Sequence, residues 1–188
     1  MNTTGAITTY GDGWVRISGM SPDSKRWRYI WEQYFKTRKV KSILEMTSIS
    51  FEMNLPIFVL LSFGRINYFI NPTTSFTSTY TPTSDEIGSK QLQNNQDIVD
   101  SMSMNLQALL ANRESYIVDG CNSFVANTVL PISTYVNVVS TASLLMWAEY
   151  CKVLGFSNQI SIYQGVIFNL IKGQLPDIEY ILKDLKNG

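Results

Sequence analysis

The sequence has 188 residues, and its 15 Lys and Arg balance its 15 Asp and Glu, so that the formal net charge is zero. A hydrophobic fraction of 45% excludes a wholly disordered or collagen-like chain, and two Cys are too few for a disulfide scaffold. Without any His, the chain lacks the commonest general base and the commonest metal ligand. We therefore predict neither a metal site nor a cofactor.

The first elements that the sequence predicts are a β-hairpin and an amphipathic helix. Residues 6–10 and 14–18 are rich in β-branched and aromatic side chains, and Gly-Asp-Gly at 11–13 suits a tight reversal. Ser21 and Pro22 are typical of the start of a helix. Apolar side chains then recur at helical spacing, which predicts one buried face: Trp27, Ile30, Trp31, Tyr34 and Phe35.

Basic side chains surround the aromatic ones in the segment 25–41. A basic surface with rings that can stack is suited to a nucleic-acid backbone or to a single strand. The simpler interpretation is that the rings are the buried stripe of the helix and the basic side chains its solvated face. The candidate nucleic-acid contacts are Lys25, Arg26, Arg28, Arg38, Lys39 and Lys41.

A small antiparallel meander is predicted over residues 47–70. Apolar and polar side chains alternate along 47–54, which is the two-residue period of a half-buried strand. The apolar run 57–63 fits a strand, with a helix as the alternative, because short apolar runs suit both. A Gly-Arg pair at 64–65 indicates a turn before the last apolar stretch, 66–70.

Residues 73–84 are rich in threonine and form the one low-complexity segment. The segment is either a mobile loop or an edge strand that joins the sheet of a neighbouring subunit through main-chain hydrogen bonds. In the second case the contact is heterologous and can close into a ring. The candidate subunit contacts are Thr73, Phe76, Thr79, Tyr80 and Thr81.

The second half of the chain is predicted to be helical. A Thr and Glu at 83–86 match a capping box, and the apolar stripe that follows ends at 119–120. Two further helices are predicted over 132–153 and 158–172, and a short last helix begins at Pro176.

These elements predict an α+β fold that is mainly helical. It consists of an N-terminal β-hairpin and helix, a small antiparallel β excursion, and a C-terminal bundle of three to five helices. Residues 1–188 form a single domain, in which 47–83 is the excursion or extended arm and 84–188 is the helical bundle.

No membrane contact is predicted. Residues 129–147 carry no charge, but Pro131, Asn137 and several Ser and Thr favour a helix buried inside the protein. The N-terminus has neither a basic start nor an apolar run, so it does not match a secretory signal. An intracellular protein is expected.

Catalytic groups are scarce in this sequence. Without His, no Ser-His or Cys-His pair can form, and neither a P-loop nor a four-ligand zinc pattern is present. Carboxylates are the remaining catalytic device, with Glu45, Glu52 and Glu149 as candidates. A carboxylate-based hydrolase needs two of them facing each other across a cleft, whereas the simpler interpretation is that all are solvated.

The layout resembles that of the head–tail connector and adaptor proteins of tailed bacteriophages. The shared features are a helical bundle over 84–186, a β excursion over 47–83 and the lack of a catalytic set. The resemblance implies a non-enzymatic ring subunit, in the virion or the host cytoplasm, that packs with copies of itself and with other virion proteins. It implies ring contacts along the excursion and non-specific DNA contact at Arg26, Arg28, Arg38 and Lys39.

The sequence therefore favours a structural assembly protein without a small-molecule substrate. Two alternatives stay open at this point. One is a nucleic-acid-binding module that uses the helix over 25–41, and the other is the carboxylate-based hydrolase.

Overall fold

The computed structural model describes residues 7–8, 12–35, 40–71, 76, 78–83, 95–152, 158–175 and 178. They form an α+β fold built on a five-stranded antiparallel sheet. The strands are β1 (Ile7–Thr8), β2 (Trp14–Ser21), β3 (Ser48–Pro56), β4 (Tyr68–Ile70) and β5 (Tyr135–Ser143). The helices are α1 (Ser24–Phe35), α2 (Val40–Met46), α3 (Ile57–Leu61), α4 (Asn95–Val118), α5 (Ser123–Ala126), α6 (Leu144–Lys152) and α7 (Asn158–Gln174), with a 3-10 turn at Asn127–Val129.

The strands follow the order β1-β2-β3-β5-β4 across the sheet. The central pair is β3 and β5, which stay in register from Ser48 opposite Ser143 to Pro56 opposite Tyr135. Strand β4 pairs with β5 and not with β3. The predicted meander over 47–70 is therefore wrong, because a strand from the second half of the chain separates two of its members.

The α+β class is confirmed, but the sheet is the centre of the molecule and not a small excursion. Side chains on one face of β3 are buried in the core, with Ile49, Phe51 and Met53 fully covered. Ser50 and Glu52, which alternate with them, lie on the other face and stay partly exposed. The alternation predicted over 47–54 is thus confirmed, and it shows that helices cover one face of this strand.

Strand β5 differs most from the sequence-based prediction. The predicted helix over 132–153 is wrong for residues 135–143, which form this central strand, and correct for α6. Val136, Val138 and Ala142 alternate into the core along the strand. A nearly continuous apolar run satisfies helical spacing as readily as strand spacing, and its content of Val and Thr favours the strand. A bundle of helices over 84–188 is therefore wrong as well.

The N-terminal hairpin is confirmed, since β1 pairs with β2. The start of α1 lies later than predicted. Asp23 Oδ1 accepts hydrogen bonds from the backbone N–H groups of Lys25 at 3.0 Å and Arg26 at 2.9 Å, so this residue caps the helix. Ser21 cannot serve as the cap because it still pairs with Ser48 in the sheet.

The described part of the predicted stripe of α1 packs into the core, while the side chains of Tyr34 and Phe35 lie outside the described ones. Trp27 and Trp31 are buried, and their rings stack with centroids 5.7 Å apart. The indole N–H of Trp27 donates to Thr47 Oγ1 at 3.0 Å, so its buried polar atom is satisfied. Tyr29, on the other side of the helix, is exposed.

Other helices agree with the sequence in part. The run 57–63 contains the short helix α3, so the helical alternative was the right one there. Helix α4 ends at a turn in which Gly120 has φ +84°, as the Asp-Gly pair predicts, and α7 covers the predicted segment 158–172. Glu86 and most of the predicted last helix lie outside the described residues, although Ile178 is buried.

The described part of the threonine-rich segment lies against the chain's own sheet. Thr79 forms a β-bridge with Thr134, and the backbone N–H of Tyr80 donates to the Ser133 carbonyl at 2.7 Å. The rings of Phe58 and Tyr80 also meet, 5.6 Å apart. Within this chain the segment therefore extends the sheet rather than projecting from it.

Among the described residues, no helix combines the length and the apolar character needed to cross a membrane.

Candidate active site

A cleft of about 500 Å³ opens between the turn that follows α3 and the helices α6 and α7. Residues 62–66 line one side. The other side consists of Met146, Glu149 and Tyr150 from α6, with Ile160 and Gln164 from α7. The cleft thus joins the consecutive helices α6 and α7 to a turn from the first half of the chain, and they meet because β3 and β5 are neighbours in the sheet.

The turn at 62–66 has a geometry that presents Arg65 to the cleft. The backbone N–H of Ile66 donates to the Phe63 carbonyl at 3.1 Å, which closes a four-residue turn. Gly64 occupies its second position with φ +60°, a conformation that a side chain would strain. Glycine is therefore required here, and Arg65 follows it at the third position of the turn.

An aromatic cluster supports the cleft from below. The Phe63 ring lies edge-on to Tyr150 at 5.1 Å and to Trp147 at 5.8 Å. Trp147 is completely buried, and its indole N–H donates to the Ile49 carbonyl of β3 at 3.0 Å. These contacts fasten the turn and α6 to the sheet, so the polar groups above them are held by a rigid base.

A chain of hydroxyl groups sets the orientation of Tyr150. The Ser62 hydroxyl donates to the Val59 carbonyl at 2.5 Å and lies 3.1 Å from the Tyr150 oxygen. Since Ser62 has one hydrogen and the carbonyl takes it, the Tyr150 O–H donates to Ser62. Burial raises the pKa of Tyr150 above its usual range, so the phenol stays neutral. Its free lone pairs can only accept hydrogen bonds.

Gln164 is the second oriented polar group of the cleft. Its Nε2 donates to the backbone carbonyl of Tyr150 at 2.8 Å, and the side chain is buried. A carbonyl cannot donate, so the nitrogen of the amide must be the atom that faces it. The amide orientation is therefore determined by this bond.

Two charged side chains complete the lining. Arg65 and Glu149 are both exposed, and neither forms an ion pair with another described residue. Arg65 supplies a planar cation that suits phosphate or carboxylate, and Glu149 is the one carboxylate among the described residues that line the cleft. Together they allow an anion to bind at one place and a proton to be accepted at another.

Neither cysteine lines the cleft as described. Both thiols are free and partly buried, with Cys121 after α4 and Cys151 in α6. Burial raises the pKa of the Cys151 thiol to about 12, which keeps it protonated and unreactive near neutral pH. No group of three or more Cys, Asp or Glu side chains that could hold a metal occurs in the described ranges.

The described members of the predicted nucleic-acid contacts do not line the cleft. Lys25, Arg26 and Arg28 are exposed on α1, and Lys41 is exposed on α2. Arg38 and Lys39 lie outside the described residues. Their role in nucleic-acid binding stays a prediction.

The described members of the predicted subunit contacts are partly buried within the chain itself. Phe76 packs its ring 5.0 Å from the Arg113 guanidinium, while Thr79 and Tyr80 contact the start of β5. Thr81 is half-buried, and Thr73 lies outside the described residues. Contact with a second subunit stays a prediction.

Of the three candidate carboxylates, only Glu149 lies in the cleft. Glu52 accepts two hydrogen bonds from Arg16, at 2.6 and 3.0 Å. Both lie on the face of the sheet opposite the core, which we call the open face. Glu45 is exposed on α2. The structure therefore does not bring two of these acids together.

No protein-family model matches the chain, and no curated protein matches it either. In three dimensions the chain is similar to a UMP/dUMP methylase, PolB from Streptomyces cacaoi, whose crystal structure holds 5-Br UMP. The TM-score is 0.71, and the match covers 95% of this chain and 96% of the other. The two chains share a fold. Their sequence identity is 14%.

This likeness corrects the function predicted from the sequence. A fold shared along nearly its whole length with a nucleotide methylase contradicts a non-enzymatic virion component, whether head–tail connector or ring subunit. It also contradicts the expected lack of a small-molecule substrate. The two alternatives, a nucleic-acid-binding module and a carboxylate-based hydrolase, stay predictions, although the structure does not bring two of the candidate acids together.

Most of the cleft residues could not be identified from the sequence. The Gly-Arg turn at 64–65 was predicted without a function, and Glu149 was a candidate for a different reaction. Tyr150 and Gln164 carried no signal, because each looks like an ordinary member of an amphipathic helix. The signs available were a Gly-Arg pair between two apolar runs and an acid within an apolar helix.

Proposed function

We propose that this protein is an enzyme that binds a uridine-type nucleoside monophosphate in the cleft and methylates its ring. The observation that carries the proposal is the fold, which matches a UMP/dUMP methylase over 95% of the chain. The lining of the cleft supports it independently, since an arginine, a carboxylate and two oriented polar side chains surround partly buried apolar ones.

Arg65 is the group proposed to bind the phosphate. A guanidinium matches phosphate oxygens with two parallel hydrogen bonds. It is the one basic side chain among the described lining residues. A single cation suits a monophosphate better than a longer polyphosphate, whose additional charge would have no partner in the described lining.

Met146 and Ile160 provide the apolar surface for the pyrimidine ring. Both line the cleft and are partly buried against the core. Such side chains cover the faces of a ring while the polar groups contact its edge, which is the usual division of a small-molecule site. The size of the cleft is also in the range of ligand pockets.

Glu149 is the proposed proton acceptor. When a methyl group from a methyl-donor co-substrate replaces a ring hydrogen, that hydrogen leaves as a proton and needs a base. The Glu149 carboxylate can take it, while neutral Tyr150 cannot. The Cys151 thiol stays protonated near neutral pH, so we assign it no part in the reaction.

The test is calorimetric binding of UMP and dUMP to the full chain and to Arg65→Gln. Loss of a charge-assisted bond to phosphate is expected to weaken binding by about 10- to 100-fold. Arg28→Gln is the matched control, since it removes an exposed arginine of α1 that does not line the cleft. Uridine, which has no phosphate, should bind equally to the original protein and to Arg65→Gln.

Two results would overturn the proposal. One is the absence of any binding of UMP or dUMP to the original protein at millimolar concentration. The other is equal weakening by the Arg65 and Arg28 substitutions, which would mean that the phosphate binds elsewhere or only through the overall charge.

A further inference from the structure

We infer that Gln164 makes the cleft selective for uracil over cytosine, with the Tyr150 backbone carbonyl fixing the amide in the orientation that uracil requires. The inference deepens the proposed function and rests on it, because it assumes that a pyrimidine nucleotide occupies the cleft. It assigns a specificity role to a residue that the fold comparison leaves without one.

The side-chain amide of Gln164 has a fixed orientation. Gln164 Nε2 donates to the Tyr150 carbonyl at 2.8 Å, and the side chain is only 6% exposed. A half-turn of the amide would place its oxygen against that carbonyl and leave two acceptors facing each other in a buried place. Unsatisfied buried polar groups are costly, so the alternative orientation is strongly disfavoured.

The residues next to Gln164 are also fixed by hydrogen bonds and packing. Tyr150 is fixed through its O–H to Ser62 and through its ring contact with Phe63. Next to Gln164 in α7, Tyr163 is completely buried and its O–H donates to the Asn54 carbonyl of β3 at 3.1 Å. The amide therefore sits between two helices that are each bonded to neighbouring structure, which limits its movement.

The remaining atoms of the Gln164 amide are available to form hydrogen bonds with a ligand. One N–H is used by Tyr150, and within the described part of the chain Oε1 has no hydrogen-bond partner. The side chain lines the cleft, so Oε1 and the second N–H are the atoms that it can offer to a ligand. In the proposed complex the N–H on the Oε1 side is the one left free, so that an oxygen that accepts lies beside an N–H that donates, in a definite direction.

Uracil matches this pair of groups and cytosine does not. The N3–H of uracil donates and the adjacent carbonyl oxygen accepts, which complements Oε1 and the second N–H of Gln164. In cytosine N3 is an acceptor and the amino group at C4 is a donor. Oε1 would then face another acceptor, and the second N–H of Gln164 would face another donor. An amide free to turn could adapt to cytosine, but the Tyr150 carbonyl prevents this turn.

The selectivity can be tested on the unaltered protein by changing the ligand. Calorimetric binding of UMP, CMP and N3-methyl-UMP is compared, with 5-bromo-UMP as the control that keeps N3–H and adds bulk elsewhere. We expect UMP and 5-bromo-UMP to bind similarly, and CMP and N3-methyl-UMP to bind about 10- to 100-fold more weakly, since a polar group of the site is left unpaired.

The protein variant is Gln164→Met, which keeps the length of the side chain and removes both polar atoms. The ratio of UMP to CMP affinity should fall to about 1, with UMP losing the affinity. Gln107→Met, at an exposed position of α4, is the control and should leave the ratio unchanged. Because the ligand series uses the original protein, the inference remains testable if Gln164→Met does not fold.

The outcomes separate the two proposals. If UMP binds and depends on Arg65, but CMP and N3-methyl-UMP bind equally well, the proposed function survives and the role of Gln164 is wrong. If no nucleotide binds, both are wrong. A lower affinity for N3-methyl-UMP than for 5-bromo-UMP, lost in Gln164→Met, supports the assignment.

Discussion

The cleft and the open face of the sheet use the same kinds of charged side chain in opposite ways. On the open face, Arg16 and Glu52 bind each other across β2 and β3, at 2.6 Å between the nearest nitrogen and oxygen. In the cleft, Arg65 and Glu149 form no ion pair with the described residues. Charges that neutralise each other have little left for a ligand, whereas separate charges around a concave surface can each bind part of one.

The two regions also differ in what supports them. Trp147 and Phe63 lie beneath the cleft in a buried aromatic cluster, and the turn and α6 rest on them. On the open face, Trp14 is partly exposed and the Arg16 guanidinium lies 5.3 Å from its ring. Rigid support is what a site needs to hold polar groups in position, so this difference also favours the cleft as the site.

The largest expected effect compares the two tryptophans. Trp147→Ala should lower the free energy of unfolding by about 3–5 kcal/mol, because it leaves a cavity in the core and frees the turn. Trp14→Ala should cost less than half of that, because its ring remains partly in contact with water. Urea denaturation followed by circular dichroism measures both. Equal losses would show that the cleft has no special support.

The second comparison concerns the two carboxylates and the reaction. Glu149→Gln should lower the rate of methylation of UMP or dUMP by about 100-fold or more, as expected when a general base is lost. Glu52→Gln removes a carboxylate of the same kind from the open face and should leave the rate unchanged. Mass spectrometry of the nucleotide, with a methyl donor supplied, measures the product. A rate that survives in Glu149→Gln would remove this residue from the mechanism.

The smallest expected effect is on the Arg16–Glu52 pair. Because both side chains are partly exposed, with 49% and 31% of their surfaces accessible, Arg16→Gln should destabilise the fold by only about 0.2–1 kcal/mol, and less at high salt. Arg65→Gln, which breaks no ion pair among the described residues, should leave the free energy of unfolding nearly unchanged. A larger loss for Arg65→Gln than for Arg16→Gln would contradict the view that the cleft charges are free for a ligand.

Some residues of the candidate site could be predicted from the sequence, and others could not. The turn at 64–65 could be found because a Gly before an exposed Arg is a local signal. Glu149 stood out as an acid within an apolar helix. The contact of Ser62 with Tyr150, however, joins residues 88 positions apart, and no local pattern indicates such a pair. The amide of Gln164 acquires its orientation from the Tyr150 backbone carbonyl, a contact between α6 and α7 that also has no local signal.

The sequence by itself determined the hairpin, the burial of Trp27 and Trp31 on α1, the alternation along β3 and the extent of α7. Each follows from side-chain spacing within one element, which is a local property of the chain. Only the tertiary structure decided that residues 135–143 are the central strand, because a continuous apolar run suits a helix or a strand until its neighbours are in place. That strand brings α6 beside the turn after α3, and the cleft exists because of it.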